Sequence, residues 1–207
     1  MATHSAPDPA PAPPLAPVPV ATDPTQPRRD TRGSIVDAAV ALIADRGFSA
    51  TSVDDIAAAA GVAKGSIYYN FGSKTALFEA VIVEGVDRLT AALRASVDGL
   101  DGPAAIEAIV TELLVQVQAH PDFAKLVVAE VFRTGRDWQH SIRQVREESM
   151  AVFADVVRAT WPDRDPSLTA AVIFGATLVA GLEWLAFQPH RTAADVRSAV
   201  LATVLPA

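Results

Sequence analysis

Apolar side chains recur every three or four residues through most of the chain beyond residue 30. This is the spacing that places them on one face of an α-helix. The pattern predicts helices over residues 31–47, 52–60, 63–70, 73–97, 103–119, 121–134, 137–161, 166–187 and 191–205. Because no stretch alternates apolar and polar residues as a strand does, we expect an all-α fold.

Two of the predicted helices are short and separated by a tight turn, in the segment TSVDDIAAAAGVAKGSIYYNFGSK at residues 51–74. Ser52 followed by Asp55 fits a capping box at the start of the first helix. Gly61 suits a left-handed residue at its end, after which Val62 turns into the core. Burying Ile67 on the second helix leaves its opposite face outward. This arrangement predicts a helix-turn-helix, whose second helix enters the major groove of DNA.

The outward residues of the second helix have the chemistry to contact DNA. Lys64 can reach guanine acceptors or a phosphate, Ser66 can exchange hydrogen bonds with a base edge, and Gly65 allows the backbone to approach closely. Tyr68, Tyr69 and Asn70 can offer hydroxyls, an amide and ring faces to the sugar-phosphate backbone.

A further helix is predicted to begin after Ser73, a residue type that caps helix N-termini. This cap directs Lys74 and the N–H groups of the first turn toward a phosphate.

The run GVAKGSIYYNFGSK at residues 61–74, together with the helix before it, resembles the signature of the TetR family of transcriptional regulators. The resemblance covers residues 31–78. It implies an N-terminal DNA-binding domain at residues 28–75 and a helical effector-binding and dimerisation domain at 76–207. It also implies that Arg32 and the hydroxyl of Thr51 or Ser52 contact phosphates, although capping explains the two hydroxyls equally well.

Composition separates three parts of the chain. Residues 1–27 contain nine of the fifteen prolines and almost no large apolar side chain, so we expect a disordered Pro/Ala-rich tail. Residues 28–75 hold six basic and five acidic residues, whereas 76–207 hold eleven basic and seventeen acidic ones. The overall charge of −7 therefore does not argue against DNA binding by the first domain.

The predicted helix at 166–187 is apolar around its whole circumference. Its length would allow a membrane span, but a helix buried between two subunits has the same composition. The stripe of Val196, Val200 and Val204 on the last helix can pack beside it. Two such helices from each of two subunits form a four-helix bundle, which is the usual dimer of the family. We therefore expect a homodimer and no membrane partner.

Chemical motifs of enzymes are missing from the sequence. The four histidines are scattered without zinc-ligand spacing, cysteine is absent, and there is no phosphate-binding loop or nucleophile motif. We expect neither an enzyme nor a metal or cofactor.

A ligand pocket is predicted in the second domain, because its helices carry more aromatic bulk than closing a bundle requires. The candidate lining residues are Phe123, Phe132, Trp138, Ile142, Phe153, Phe174 and Trp184. For each of them, membership of an ordinary core is the alternative. Glu130 and Glu183 interrupt apolar runs, so each is expected to reach solvent, pair with an arginine or meet a ligand.

These observations predict a cytoplasmic, homodimeric TetR-like regulator. In that family the usual member is a repressor that binds a palindromic operator, and we expect a small apolar effector to release it. The alternative is a helical ligand-binding or scaffold protein that carries the motif without binding DNA.

Overall fold

A computed structural model describes residues 30–130 and 139–205 and, within them, all side chains except those of residues 130, 139–142, 144 and 145. The predicted tail at 1–27 lies outside these ranges. The described chain forms nine α-helices and no β-strand, which confirms the all-α prediction. The helices are α1 (Thr31–Arg46), α2 (Val53–Ala60), α3 (Lys64–Phe71), α4 (Lys74–Ser96), α5 (Gly102–Ala119), α6 (Pro121–Glu130), α7 (Gln139–Thr160), α8 (Pro166–Phe187) and α9 (Ala193–Val204).

Two apolar cores organise these helices. The first joins α1, α2 and α3 to the N-terminal half of α4, where Leu77, Phe78, Val81 and Ile82 are buried. Leu126 of α6 belongs to this core as well. The second core lies between α5, α7, α8 and α9 and includes the buried Leu93 near the end of α4. Because α4 runs through both cores, it is the continuous connection between the two parts of the fold. The division after residue 75 stays a prediction.

Helix α6 lies against α4 at Gly85, in the middle of α4. A Cβ atom at this position would overlap the ring of Phe123, so only glycine allows the two helices to approach this closely. A glycine inside a helix lowers its stability, and the close packing of α6 explains why α4 has a glycine at this position. The contact between Gly85 and Phe123 also attaches α6 to the first core.

Helix α8 is the one described helix that is long and apolar enough to cross a membrane by length and composition. Its buried positions, which include Ile173, Leu178 and Trp184, pack into the second core. On the outer side, Leu168, Val172 and Val179 are 70%, 62% and 59% exposed. Helix α8 thus has one side in the core of its own chain and an apolar side facing outward. The stripe of Val196 and Val200 on α9 packs into the same core, as predicted.

Candidate DNA interface and ligand pocket

Helix α2 begins at a complete capping box. The Asp55 N–H donates to the Ser52 hydroxyl at 3.0 Å, and the Ser52 N–H donates to the Asp55 carboxylate at 2.9 Å. The Ser52 hydroxyl also donates to the Asp55 carboxylate at 2.6 Å. This bond and the one from the Ser52 N–H lower the pKa of Asp55, because they favour the charged form of the carboxyl group. The Ser52 hydroxyl is therefore used as a cap, which is the second of the two roles expected for it.

The turn between α2 and α3 depends on Gly61, whose φ of 67° is left-handed. Its conformation allows the Val62 N–H to donate to the Ala57 carbonyl at 3.0 Å and close the end of α2. Ile56 on α2 and Ile67 on α3 are both fully buried in the first core. The turn and these two contacts fix α3 across α2 as a helix-turn-helix requires.

The outer face of α3 is open to solvent. Tyr69 is 91% exposed, Lys64, Gly65 and Tyr68 are exposed, and Ser66 is half-buried. Ala63 precedes the helix without a side-chain cap, so the first N–H groups of α3 are not bonded by a capping side chain. These side chains lie on the outer face of an α-helix, and the major groove of DNA admits an α-helix.

Two polar side chains on this face already have partners. The Lys64 ammonium lies 2.9 Å from the Asp54 carboxylate, which raises the pKa of Lys64. The Asn70 amide donates to the Ser66 carbonyl one turn earlier at 2.7 Å. A contact of either group with DNA therefore replaces an existing bond.

Arg32 lies at the start of α1 but is directed to the fold rather than away from it. Its guanidinium forms an ion pair with Glu84 of α4 and stacks 5.0 Å from the centre of the Phe71 ring. Hydrogen bonding to Glu84 raises the pKa of Arg32. The phosphate contact of Arg32 stays a prediction, and it requires the guanidinium to leave Glu84.

The structure corrects the prediction that the Thr51 hydroxyl contacts a phosphate. Its side chain is only 1% exposed, and its hydroxyl donates to the carbonyls of Gly47 at 3.0 Å and Leu42 at 3.3 Å. These bonds tie the end of α1 to the start of α2. A buried hydroxyl has no surface to offer a phosphate, so we omit Thr51 from the interface.

Lys74 stands at the start of α4, where the Ser73 hydroxyl accepts from the Ala76 N–H at 3.0 Å as predicted. The Lys74 ammonium lies 4.2 Å from the centre of the Phe48 ring. Phe48 in turn packs edge to face against Phe78, with ring centres 5.0 Å apart. Lys74 is thus held beside α3, at the N-terminal end of a helix whose positive dipole end favours anions.

A pocket of about 360 Å³ lies between α4, α6, α7 and α8. Its walls are the apolar side chains of Ile82, Val86, Leu89, Val127, Val128, Met150, Ala171, Phe174, Leu178 and Val179. A smaller pocket of about 50 Å³ adjoins it and shares Leu89, Val127, Phe174 and Leu178. The volume of the larger pocket falls in the range of about 300 to 1,000 Å³ that small-molecule sites occupy.

The predicted lining residues divide between pocket and core. Phe174 lines both pockets, and Phe123 lines the smaller one. Phe153 and Trp184 line neither of these two pockets. Phe153 packs against Phe174 in the second core. The Trp184 indole donates to the Arg191 carbonyl at 2.9 Å, and Trp184 lines a separate pocket beside α9. Phe132 and Trp138 and the side chains of Ile142 and Glu130 lie outside the described residues. Glu183 reaches solvent, as one of its alternatives predicted.

The sequence pattern did not identify the residues of α7 that line the larger pocket in the structure. Arg146, Ser149 and Met150 line the larger pocket, and their spacing of three and four residues places them on one face of the helix. This spacing could have predicted a common face that lines the pocket. The charge of Arg146 instead suggested that this face is exposed to solvent.

The described helices and the exposed α3 define the class: this is an all-α helix-turn-helix protein in which α4, α6, α7 and α8 line a pocket. Residues 35–81 match the family model of the bacterial regulatory proteins, tetR family. The resemblance to the TetR family is therefore confirmed for this part of the chain, which carries the N-terminal domain of that family.

A curated relative supports the same family. Over 94 residues the chain is 39% identical to the HTH-type transcriptional repressor KstR2 of Rhodococcus jostii, a match covering 45% of this chain and 46% of that protein. The chain thus aligns with less than half of the length of this relative.

Solved structures extend the likeness to the whole fold. The ketosteroid transcriptional regulator KstR2 of Mycobacterium tuberculosis has a TM-score of 0.69 and 25% identity, over 85% of this chain and 93% of that one. The transcriptional regulator FadR of Bacillus subtilis, solved in complex with stearoyl-CoA, has a TM-score of 0.72 and 18% identity, over 83% and 96%. Both are transcriptional regulators.

Proposed function

We propose that this protein is a DNA-binding transcriptional regulator that acts as a repressor. It binds a palindromic operator as a homodimer in the cytoplasm and is released by a small apolar effector. The observation that carries the proposal is the open face of α3, where Lys64, Ser66 and Tyr69 stand together on a helix held by the turn at Gly61. A surface of this kind on a TetR-type domain is suited to reading base edges.

Within this interface the residues have different tasks. Lys64, Ser66 and Tyr69 set sequence preference from the exposed face of α3, with Gly65 allowing close approach. Phosphate contacts come from Tyr68, Lys74, Arg32 and Asn70, and Ser52 supports the interface by capping α2. Phosphate contacts fix the register of a protein on DNA, whereas base contacts carry the specificity.

The homodimer is formed by the outward side of α8. Leu168, Val172 and Val179 expose most of their side chains at positions spaced by four and seven residues, which is one continuous stripe. An exposed apolar stripe of this length marks a protein interface. Pairing it across a two-fold axis brings two copies of α3 to one side of the DNA.

The pocket can influence α3 through α6. Phe123 and Leu126 of this helix pack into the first core, while Val127 and Val128 line the larger pocket. An effector that fits better when α6 is displaced favours an arrangement of α3 that is wrong for the operator. A coupling of about 1 to 3 kcal/mol lowers operator affinity by roughly 5- to 150-fold.

A gel-shift titration over fragments of the neighbouring genome tests the DNA-binding function. We expect tight, salt-sensitive binding to a limited set of fragments, which is lost when Lys64, Ser66 and Tyr69 are all replaced by alanine. Absence of binding at low salt, or equal binding by the triple variant, supports the alternative of a ligand-binding or scaffold protein.

Size-exclusion chromatography with light scattering tests the dimer. Val172→Asp and Val179→Asp should each yield a monomer with weakened operator binding, because a charge in an apolar interface is costly unless it is paired. Val115→Asp is the matched control, since Val115 is an exposed valine on α5. A wild-type monomer, or dimers that survive both α8 substitutions, would refute this interface.

A further inference from the structure

Among the described residues, the charged side chains that line the two adjoining pockets are arginines. They are Arg146 in the larger pocket and Arg88 in the smaller one, which His120 also lines, and no described aspartate or glutamate lines either pocket. The chain as a whole has the opposite bias, with 24 acidic and 17 basic residues. The pockets therefore differ in charge from the protein that surrounds them.

Arg146 is the charged group at the larger pocket. It is exposed at the edge of walls that are otherwise almost entirely apolar, and no ion pair to it occurs in the described part of the chain. A guanidinium presents five N–H donors in a planar fork that fits a carboxylate or a phosphate group. The site thus combines an apolar interior with a cation at its mouth that forms no ion pair with a described residue.

The face of α7 that carries Arg146 is tied to α4 by a contact one turn farther along the helix. The buried Ser149 hydroxyl lies 2.6 Å from the hydroxyl of Thr90, which joins α7 to α4. Because Arg146, Ser149 and Met150 share one face of α7, this bond keeps that face toward the pocket. Arg143, three residues before Arg146, is exposed on the same helix but does not line either pocket.

From these observations we infer that the effector is an anionic amphiphile: an apolar body fills the larger pocket, and a carboxylate or phosphate head pairs with Arg146. This inference rests on the proposed effector site and deepens it. A neutral apolar molecule would fill the pocket equally well but would leave Arg146 without a partner. A cationic amphiphile would meet repulsion from Arg146 and Arg88.

A matched series of twelve-carbon compounds tests the inference directly. Binding of dodecanoate, dodecan-1-ol and dodecyltrimethylammonium to the full chain is measured by isothermal titration calorimetry below their micelle concentrations. We expect dodecanoate to bind about tenfold or more tightly than the alcohol, since a hydrogen bond to a charged group is among the stronger ones. The ammonium compound should bind most weakly.

Two arginine variants assign the preference to one residue. Arg146→Gln should reduce the advantage of dodecanoate over dodecanol to less than about threefold and leave the dissociation constant of the alcohol unchanged. Arg143→Gln should retain the full preference. Equal binding of acid and alcohol by the wild type, tightest binding of the cation, or equal effects of both variants would overturn the inference.

The source of the anionic head is distinguished by adding dodecanoyl-CoA to the series. A thioester that binds more tightly than the free acid and loses this advantage in Arg146→Gln indicates that a phosphate pairs with Arg146. Tighter binding of the free acid indicates a carboxylate, and both results support the inference. Operator gel shifts of the same samples without ligand test DNA binding separately from the class of the effector. If none of the compounds binds while the operator is still shifted, the regulator stands and the inference about its ligand fails.

Discussion

The Lys64 ammonium at the start of α3 lies 2.9 Å from the carboxylate of Asp54 in the preceding helix. Both side chains are exposed, so solvent screens the pair. Its importance lies in its position, because the lysine that is expected to reach DNA is held by a carboxylate on the same surface. Operator binding must therefore exchange Asp54 for a base edge or a phosphate.

Removing this competitor should strengthen operator binding. For Asp54→Asn we expect an increase in affinity of up to about fivefold, because Lys64 is released and a negative charge near the phosphates is lost. Asp122→Asn is a matched control, since Asp122 forms a similar exposed pair with Lys125 at 3.0 Å on α6. Weaker operator binding by folded Asp54→Asn would mean that the pair orients Lys64 for DNA.

Lys74 and Ser66 should differ in the kind of DNA binding that they support. Lys74→Ala is expected to weaken binding to all sequences alike and to flatten the log–log salt dependence by about 0.9 for the lost phosphate contact. Ser66→Ala should change the ranking of operator variants and leave the slope unchanged. Titrations of a panel of operator variants at several salt concentrations measure both quantities.

Thermal melts must accompany these titrations, because Lys74 also stacks on Phe48. Loss of that contact should lower stability by about 0.5 to 1 kcal/mol, which leaves the protein folded. An unchanged slope for Lys74→Ala together with an unchanged ranking for Ser66→Ala would refute both roles.

The close approach of α4 and α6 predicts an unusual response to alanine. In an open helix Gly→Ala stabilises by about 1 kcal/mol, whereas Gly85→Ala should destabilise by about 1 to 3 kcal/mol because the new methyl group overlaps Phe123. Urea unfolding gives the free energies of unfolding.

A double-mutant cycle with Phe123→Leu isolates this contact. The smaller side chain should recover part of the loss in the Gly85→Ala background, giving a coupling energy of about 1 kcal/mol or more. A stabilising Gly85→Ala, or strictly additive effects, would show that α4 and α6 are not in close contact here.

The capping boxes at the starts of α2 and α9 lead to a prediction about stability at low pH. Hydrogen bonds from Ser52 and Thr192 lower the pKa of Asp55 and Asp195 from the ordinary value of 3.8. A lowered pKa in the folded state means that the stabilisation is present above the unfolded pKa and is lost as the pH falls through the folded one.

We therefore expect Asp55→Asn and Asp195→Asn to lower the melting temperature at pH 7 and to approach the wild type at a pH well below the ordinary aspartate value of 3.8. Asp87→Asn, at an exposed position inside α4 that caps no helix, should melt like the wild type at both pH values. Differences that persist at low pH would show that the two boxes stabilise their helices by a means other than the charged carboxylate.

Local signals made the helices predictable. Helix ends depend on interactions within a few residues. Examples are the capping pair of Ser52 and Asp55, the left-handed Gly61 and the prolines near helix starts, and these helix ends lie close to the predicted positions. Burial of Ile67 on α3 then determined its outward face. Regular periodicity and caps are sufficient for such elements because most of their hydrogen bonds are local.

Contacts between distant residues were not predictable in the same way. Nothing near Arg32 in sequence indicates Glu84, which reaches it only because α1 packs beside α4. Likewise, apolar bulk does not tell whether an aromatic ring closes a core, as Phe153 does, or borders a cavity, as Phe174 does. That difference depends on the angles at which α7 and α8 pack.

Nuclease footprinting on the genomic fragment that binds best is the most direct test of the account. If paired copies of α3 bind the operator, two inverted half-sites should be protected, with centres about one helical turn, or a multiple of it, apart. The protection should disappear when Lys64, Ser66 and Tyr69 are replaced together. A footprint without two-fold symmetry, or protection that persists in the triple variant, would contradict the claim that paired copies of α3 read the DNA.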